Sequence, residues 1–156
     1  MSIVKFYRGD PANTPKTTQG AHLGANVILT CKGRLLLEKR RDSDTWGLVG
    51  GGVKNYEEPI DAIAREIREE LGIRIPKDRF QKLAVYGEPG RVAAYCDGSI
   101  WRMVVVVFGL ELEEEPQIVL SAESRDMKFF SKEEIRDIDI VITHSDIVDD
   151  WFTNKE

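Results

Sequence analysis

Cysteine and histidine are both scarce, with two of each in 156 residues. Cys31 and Cys96 lie far apart and form no CxxC, so neither a zinc ribbon nor a redox dithiol is supported, and a pair of buried thiols is the expectation. His22 and His144 alone cannot supply a histidine-based metal centre, which leaves metal binding to carboxylates. No long apolar run is present. The longest, residues 103–110, is too short to cross a bilayer, and the opening MSIVKFYRGD lacks the apolar core of a signal peptide, so no membrane partner is expected and the cytoplasm is the expected location. Positive charge is not in excess either. A net charge of −5 argues against long nucleic acid as a partner, which needs a basic surface. Small phosphorylated ligands stay compatible with that charge, because a bound divalent ion reverses the local field. Internal repeats and low-complexity tracts are missing. A nucleotide-binding P-loop fails as well: in GLVGGGVK, residues 47–54, Val53 takes the place of the lysine and Asn55 follows Lys54.

What the chain does contain is the composition of a globular domain, 42% hydrophobic and 31% charged residues, in a length that suits one domain with its own core. IVKFY near the start reads as an edge strand, followed by a polar loop. Residues 22–30 and 35–39 are apolar runs joined by a Lys-Gly turn and read as a hairpin. Further strands are expected over 82–86, 91–96 and 99–112, the last apolar enough for the middle of a sheet. Ser131 and Glu134 form a capping-box pattern for a short helix, and another helix begins near Thr143 with Ile147, Val148 and Trp151 as its packing face. Helices and strands alternate in mixed order, with too few helices for a doubly wound parallel sheet.

Residues 51–73, GGVKNYEEPIDAIAREIREELGI, organise the rest. Ile60, Ile63, Ile67 and Leu71 recur at helical spacing, with Pro59 at the first turn and Gly72 as the stop. Glu66, Glu69 and Glu70 then fall within an arc of about 100° beside that apolar stripe. Like charges crowded at the edge of a buried face repel one another, so a cation belongs there. Arg65 reaches Glu69 across one turn, yet the acids outnumber it. Hard oxygen ligands in excess suit Mg²⁺ or Mn²⁺. The preceding glycines read as a flexible loop that lets backbone approach an ion or a phosphate.

The spacing Gly51, five residues, Glu57, seven residues, Arg65-Glu66-Ile67-Arg68-Glu69-Glu70-Leu71-Gly72-Ile73 resembles the signature of the Nudix hydrolases at every fixed position. Trp46-Gly47-Leu48 is similar to the family's usual lead-in. Val49 replaces a common proline, and Tyr56 a common glycine, both outside the fixed positions. The resemblance implies one α/β domain, an α/β/α sandwich around a mixed β-sheet, spanning the whole chain. It also implies Mg²⁺-dependent (or Mn²⁺-dependent) cleavage of the diphosphate bond in a nucleoside diphosphate linked to a group X. Carried onto this chain, Glu66, Glu69, Glu70 and the Gly51 carbonyl correspond to the metal ligands. Glu66, Glu69 or Glu123 is then the base toward water, with Glu57 and Arg65 orienting the glutamates. Arg40 and Trp46 become substrate contacts, with a small nucleotide-type molecule as the partner. Two alternatives come with the family: a nucleoside triphosphate pyrophosphohydrolase that clears damaged nucleotides, its base stacked on Trp46, Tyr86, Trp101 or Phe129, and a nucleotide-sensing module that does not cleave. Many members form homodimers.

Overall fold

A computed structural model describes residues 4–41, 44–120 and 124–154. Nine strands form one mixed sheet: β1 Val4–Tyr7, β2 Ala21–Cys31, β3 Arg34–Arg40, β4 Trp46–Gly47, β5 Val49–Gly52, β6 Gln81–Tyr86, β7 Val92–Tyr95, β8 Ile100–Leu112 and β9 Ser124–Phe130. The longest pairing is parallel, β2 against β8, with Ala21 opposite Arg102 and Cys31 opposite Leu112. Around this pair β8 also carries β6 and β7 antiparallel, and β1 closes the edge on β7. The apolar run of β8 is thus central, as its composition requires. Among the described residues no helix is long and apolar enough to cross a membrane.

The expected hairpin exists only at its tip. Lys32 and Gly33 both take positive φ, 53° and 78°, the geometry of a tight two-residue turn, and only Thr30–Leu35 and Cys31–Arg34 pair across it. Beyond the tip the strands part, β2 joining β5 and β8 while β3 joins β4 and β9. The glycine stretch also departs from expectation. It is not a loop but strand β5, with Gly52, Gly51, Gly50 and Val49 opposite Gly24, Ala25, Asn26 and Val27. Close approach dictates glycine there: a Cβ on Gly50 would stand 2.1 Å from the Ala25 carbonyl oxygen.

Three helices cover the sheet: α1 Pro59–Leu71, α2 Lys132–Ile135 and α3 Ile142–Asn154. The first begins at Pro59, with the Asp61 carboxylate accepting from the Glu58 N–H at 3.0 Å. It stops where Gly72 turns left-handed, φ 73°, and donates to the Arg68 carbonyl. Ala62, Ile63, Ile67 and Leu71 are buried against Ala25, Val27, Leu29 and Phe108 on one face. Each aliphatic of that kind contributes about 1.5–3 kcal/mol when fully buried. On the other face Ile147 and Val148 of α3 pack with Ile28, Leu35, Leu37 and Phe130. Helices on both faces of a mixed sheet make the expected α/β/α layers. The cysteines depart from expectation: Cys31 is buried in the α1 core but Cys96 is exposed, because it lies just past β7 at a turn.

Candidate functional site

Strand β5 and helix α1 pack against each other, and their junction brings the acidic turn to the glycines. Gly51 faces Glu66 so closely that a Cβ there would lie 2.4 Å from Glu66 Oε1. Arg65 ties the two elements together. Its Nη2 donates to the Gly52 carbonyl at 3.0 Å and to Glu57 Oε1 at 2.7 Å, its Nε to Glu57 Oε2 at 3.2 Å, and its Nη1 to Glu66 at 3.0 Å and Glu69 at 3.3 Å. Glu57 also accepts from the Lys54 N–H at 2.9 Å and so closes the connection from β5 to α1. The Arg65 hydrogen bonds and that N–H hold the Glu57 carboxyl below the usual range, against the opposing effect of burial. The same partners raise the already basic guanidinium further.

The three glutamates of the helix end in different surroundings. Glu70 is 4% exposed, the Glu66 side chain lies mostly buried under Gly51, and the Glu69 side chain is half in solvent. Among the described residues no three acidic, histidine or cysteine side chains converge as a ready metal cage. Arg65 accounts for part of that, since its guanidinium is the cation that Glu66 and Glu69 hold. The donors themselves are uniformly hard: carboxylates at 66 and 70, one turn apart, with the Gly51 backbone beside Glu66. That set fits a small divalent ion better than a soft one. Glu123 lies outside the described residues.

Beside the glycines opens a cavity of about 230 Å³. Its floor is β2, whose His22, Gly24 and Asn26 all face it, while Ala25, Val27 and Leu29 point to the opposite face under α1. Arg40, at the end of β3, lines it and lies 3.5 Å from Glu38. Asn26 is fixed by donating its amide to the Leu48 and Val49 carbonyls at 3.2 and 3.4 Å. His144, on α3, accepts from the Leu48 N–H at Nδ1, 3.0 Å, which puts the proton of the neutral ring on Nε2. Burial lowers the pKa of His22 and so favours its neutral form. Its Nδ1 is buried with no hydrogen-bond partner among the described residues.

The aromatic residues named as candidate ligand contacts do not line this cavity. Trp46 is not part of this cavity wall: its ring packs edge-on against Phe130, centroids 4.9 Å apart, with Lys39 over it. Phe129 is in the α1 core, and Tyr86 faces Arg91 and donates to Asp150 at 2.7 Å. Trp101 meets the edge of His22 at 6.1 Å. The aromatics that do line the cavity are Phe6 and Tyr95. Sequence reasoning passed over these, and over Asn26 and His144. The one local signal was the alternation of His22, Gly24 and Asn26 along a largely apolar strand.

A family model described as the NUDIX domain matches residues 20–151. A MutT-like protein of Streptomyces ambofaciens is 44% identical over 54 residues, 35% of this chain and 35% of its own length. The nucleoside triphosphatase NudI of Enterobacter sp. (strain 638) is 30% identical over 97 residues, covering 61% of this chain and 67% of that protein. A bifunctional NMN adenylyltransferase/ADP ribose pyrophosphatase from Francisella tularensis, solved with AMP and a manganese ion, superposes with a TM-score of 0.72 at 18% identity, over 92% of this chain and 44% of that one. The chain therefore spans about a third of the Streptomyces protein and less than half of the Francisella one. The likeness to the latter concerns the fold. With the domain match covering most of the chain and the same layers around the same sheet, this chain belongs to the NUDIX domain family.

Proposed function

We propose that the protein hydrolyses the diphosphate bond of a nucleoside diphosphate linked to another group, with a divalent cation. The observation that carries this reading is the junction of α1 and β5, where Arg65 orders Glu57, Glu66 and Glu69 against Gly51 and Gly52 at the mouth of a cavity that also receives Arg40. Glu66, Glu70 and the Gly51 carbonyl would hold the ion, with Glu69 completing the set from the solvent side. Mg²⁺ is the expected ion, and Mn²⁺ serves the same donors. When bound, such an ion neutralises phosphate charge and acidifies a coordinated water.

The chain's own residues supply the rest. Glu57 and the Gly52 carbonyl hold Arg65, and Arg65 holds Glu66 and Glu69, so the carboxylates meet the substrate already oriented. Arg40 has the fork geometry for phosphate oxygens at the other side of the mouth. Water attacks one phosphorus and gives its proton to a carboxylate, Glu66 or Glu69, with Glu123 as the alternative base. The bridging P–O bond breaks, and both products leave as phosphates. A second reading, a nucleoside triphosphate pyrophosphohydrolase, is favoured by the likeness to the Enterobacter nucleoside triphosphatase.

A panel of nucleotide sugars, dinucleoside polyphosphates, ADP-ribose and nucleoside triphosphates, incubated with Mg²⁺ or Mn²⁺ in heavy-oxygen water, tests both readings. Mass spectrometry then shows which compound is cut and which product carries the label. Absence of cleavage across the panel, or unimpaired turnover by Glu69→Gln, would overturn the assignment of this site.

A further inference from the structure

We infer that His144 is a positioning residue for the glycine strand: its Nδ1 holds the Leu48 N–H where the chain passes from one strand neighbour to another, and so fixes the Gly51 carbonyl beyond it. The inference rests on the proposed hydrolysis for the role of Gly51, but the hydrogen bond stands without it. β4 pairs with β3 through Trp46 and Gly47, and β5 pairs with β2 from Val49 onward. Leu48 lies between these two ladders and is fully buried. Its N–H belongs to neither ladder and is shut away from water, and a buried N–H without a partner is costly.

Side chains take over at that point. His144 Nδ1 accepts from the Leu48 N–H at 3.0 Å, and the Asn26 amide donates to the Leu48 and Val49 carbonyls at 3.2 and 3.4 Å, so Leu48 is held at both its N–H and its carbonyl. Both of these polar side chains belong to buried residues. Gly47 makes room for the arrangement. A Cβ there would stand 3.0 Å from His144 Nδ1 and 3.2 Å from the Arg40 side chain, closer than ordinary contact, so its missing side chain lets the imidazole reach the next N–H. The ring is delivered by backbone bonding: Trp46 donates to the Asp139 carbonyl and accepts from the Val141 N–H, both at 2.9 Å, and Arg91 donates to the Thr143 carbonyl. The first turn of α3 thus does more than cover the sheet, since it carries a brace for the strand that meets the acidic helix. The competing reading is a substrate contact through Nε2, because His144 also lines the cavity.

Substitution tells the two nitrogens apart. Asparagine carries its amide oxygen where Nδ1 stands, whereas glutamine carries its amide end near Nε2. The test uses the full chain as His144→Asn, His144→Gln and His144→Leu. Deuterium exchange of the Leu48 amide should quicken about tenfold in the glutamine and leucine variants, the effect of one lost hydrogen bond, and stay slow with asparagine. Mn²⁺ affinity, read by water-proton relaxation without substrate, and kcat on the compound that the panel identifies should fall roughly 10–100-fold in the same two variants, and asparagine should restore most of both. KM should change little, whereas a lost substrate contact would raise it. In the unmodified protein, magnetic resonance should show a scalar coupling between the Leu48 nitrogen and His144 Nδ1 across the hydrogen bond, which requires no variant to fold. Absence of that coupling would overturn the inference, and so would turnover kept by glutamine rather than asparagine, or wild-type Mn²⁺ affinity in folded His144→Leu. Exchange, coupling and Mn²⁺ affinity involve no bond cleavage, so a failure there is separate from a failure of the hydrolysis panel.

Discussion

Arg65 and Arg91 are both guanidinium hubs, and they close their surroundings to different degrees. Among the described residues Arg65 holds three carboxylates within hydrogen-bond reach, Glu57, Glu66 and Glu69, with Glu70 one turn on from Glu66. Arg91 is fully buried. It donates to Glu88 at 2.8 Å, to Asp146 and to the Thr143 carbonyl, and Arg8 joins Asp146 at 3.4 Å, so two cations meet two acids. This second hub pins β1, the connection before β7 and the first turn of α3 together, which sets Thr143 and His144 at the cavity wall. An acid surplus at the first site leaves room for a further cation. Charge balance at the second leaves none, and a buried pair of that kind serves placement more than net stability.

Four measurements would sharpen or break this contrast. The largest effect should come from Glu66→Gln, which removes one charge from the acid surplus: turnover should fall by roughly 10²–10³-fold while the melting temperature barely moves. Comparable turnover in the variant would mean that the surplus is idle. Next, Arg91→Ala should cost about 3 kcal/mol in denaturant unfolding, near the lower end for a broken buried pair because Glu88 is half in solvent and Asp146 keeps Arg8. A loss under about 1 kcal/mol would show that the balanced hub does not hold its three segments.

Gly51→Ala follows. Its Cβ must push the Glu66 carboxylate aside, and a displacement of about 1 Å at such a group is worth around a hundredfold in rate. Wild-type kinetics would place Glu66 outside the reacting centre. The smallest effects concern pH. Arginine hydrogen bonds depress the carboxyls of both Glu57 and Glu88, so their stabilisation is complete above the unfolded value of about 4.3 and is lost as the pH falls through the lower folded values. On the Arg91 side alone, burial and then the bond to Asp150 raise the pKa of Tyr86, so its contribution is complete below about pH 10 and is lost at more alkaline pH. Tyr86→Phe should flatten the alkaline limb of a stability-against-pH curve, and Glu57→Gln should soften only the acid limb.

The two hubs also differ in how far they could be read from residue order. Around Arg65 the partners are local: Glu69 is one turn away, and Pro59, Gly72 and the isoleucine spacing set the bounds of α1 without outside help. The hub at Arg91 needs Asp146, 55 positions on, and His144 reaches Leu48 across 96. Such contacts depend on which strands lie side by side, and the parallel pairing of β2 with β8 is not written in either strand alone. For the same reason the glycines read as a loop: their strand character comes entirely from pairing with β2. Trp46 shows the limit from the other direction: its edge-on contact with Phe130, far along the chain, could not be read from its place beside the glycines.

Strand β2 works as a ruler with two scales. Positions 25, 27 and 29 are committed to the packing that seats the acidic helix, while positions 22, 24 and 26 look out on the cavity. Exchanges on the second scale leave the first untouched, so a lineage could change what the cavity accepts in single steps without disturbing the helix beneath. A shift of β2 by one residue would be ruinous, because it trades both scales at once.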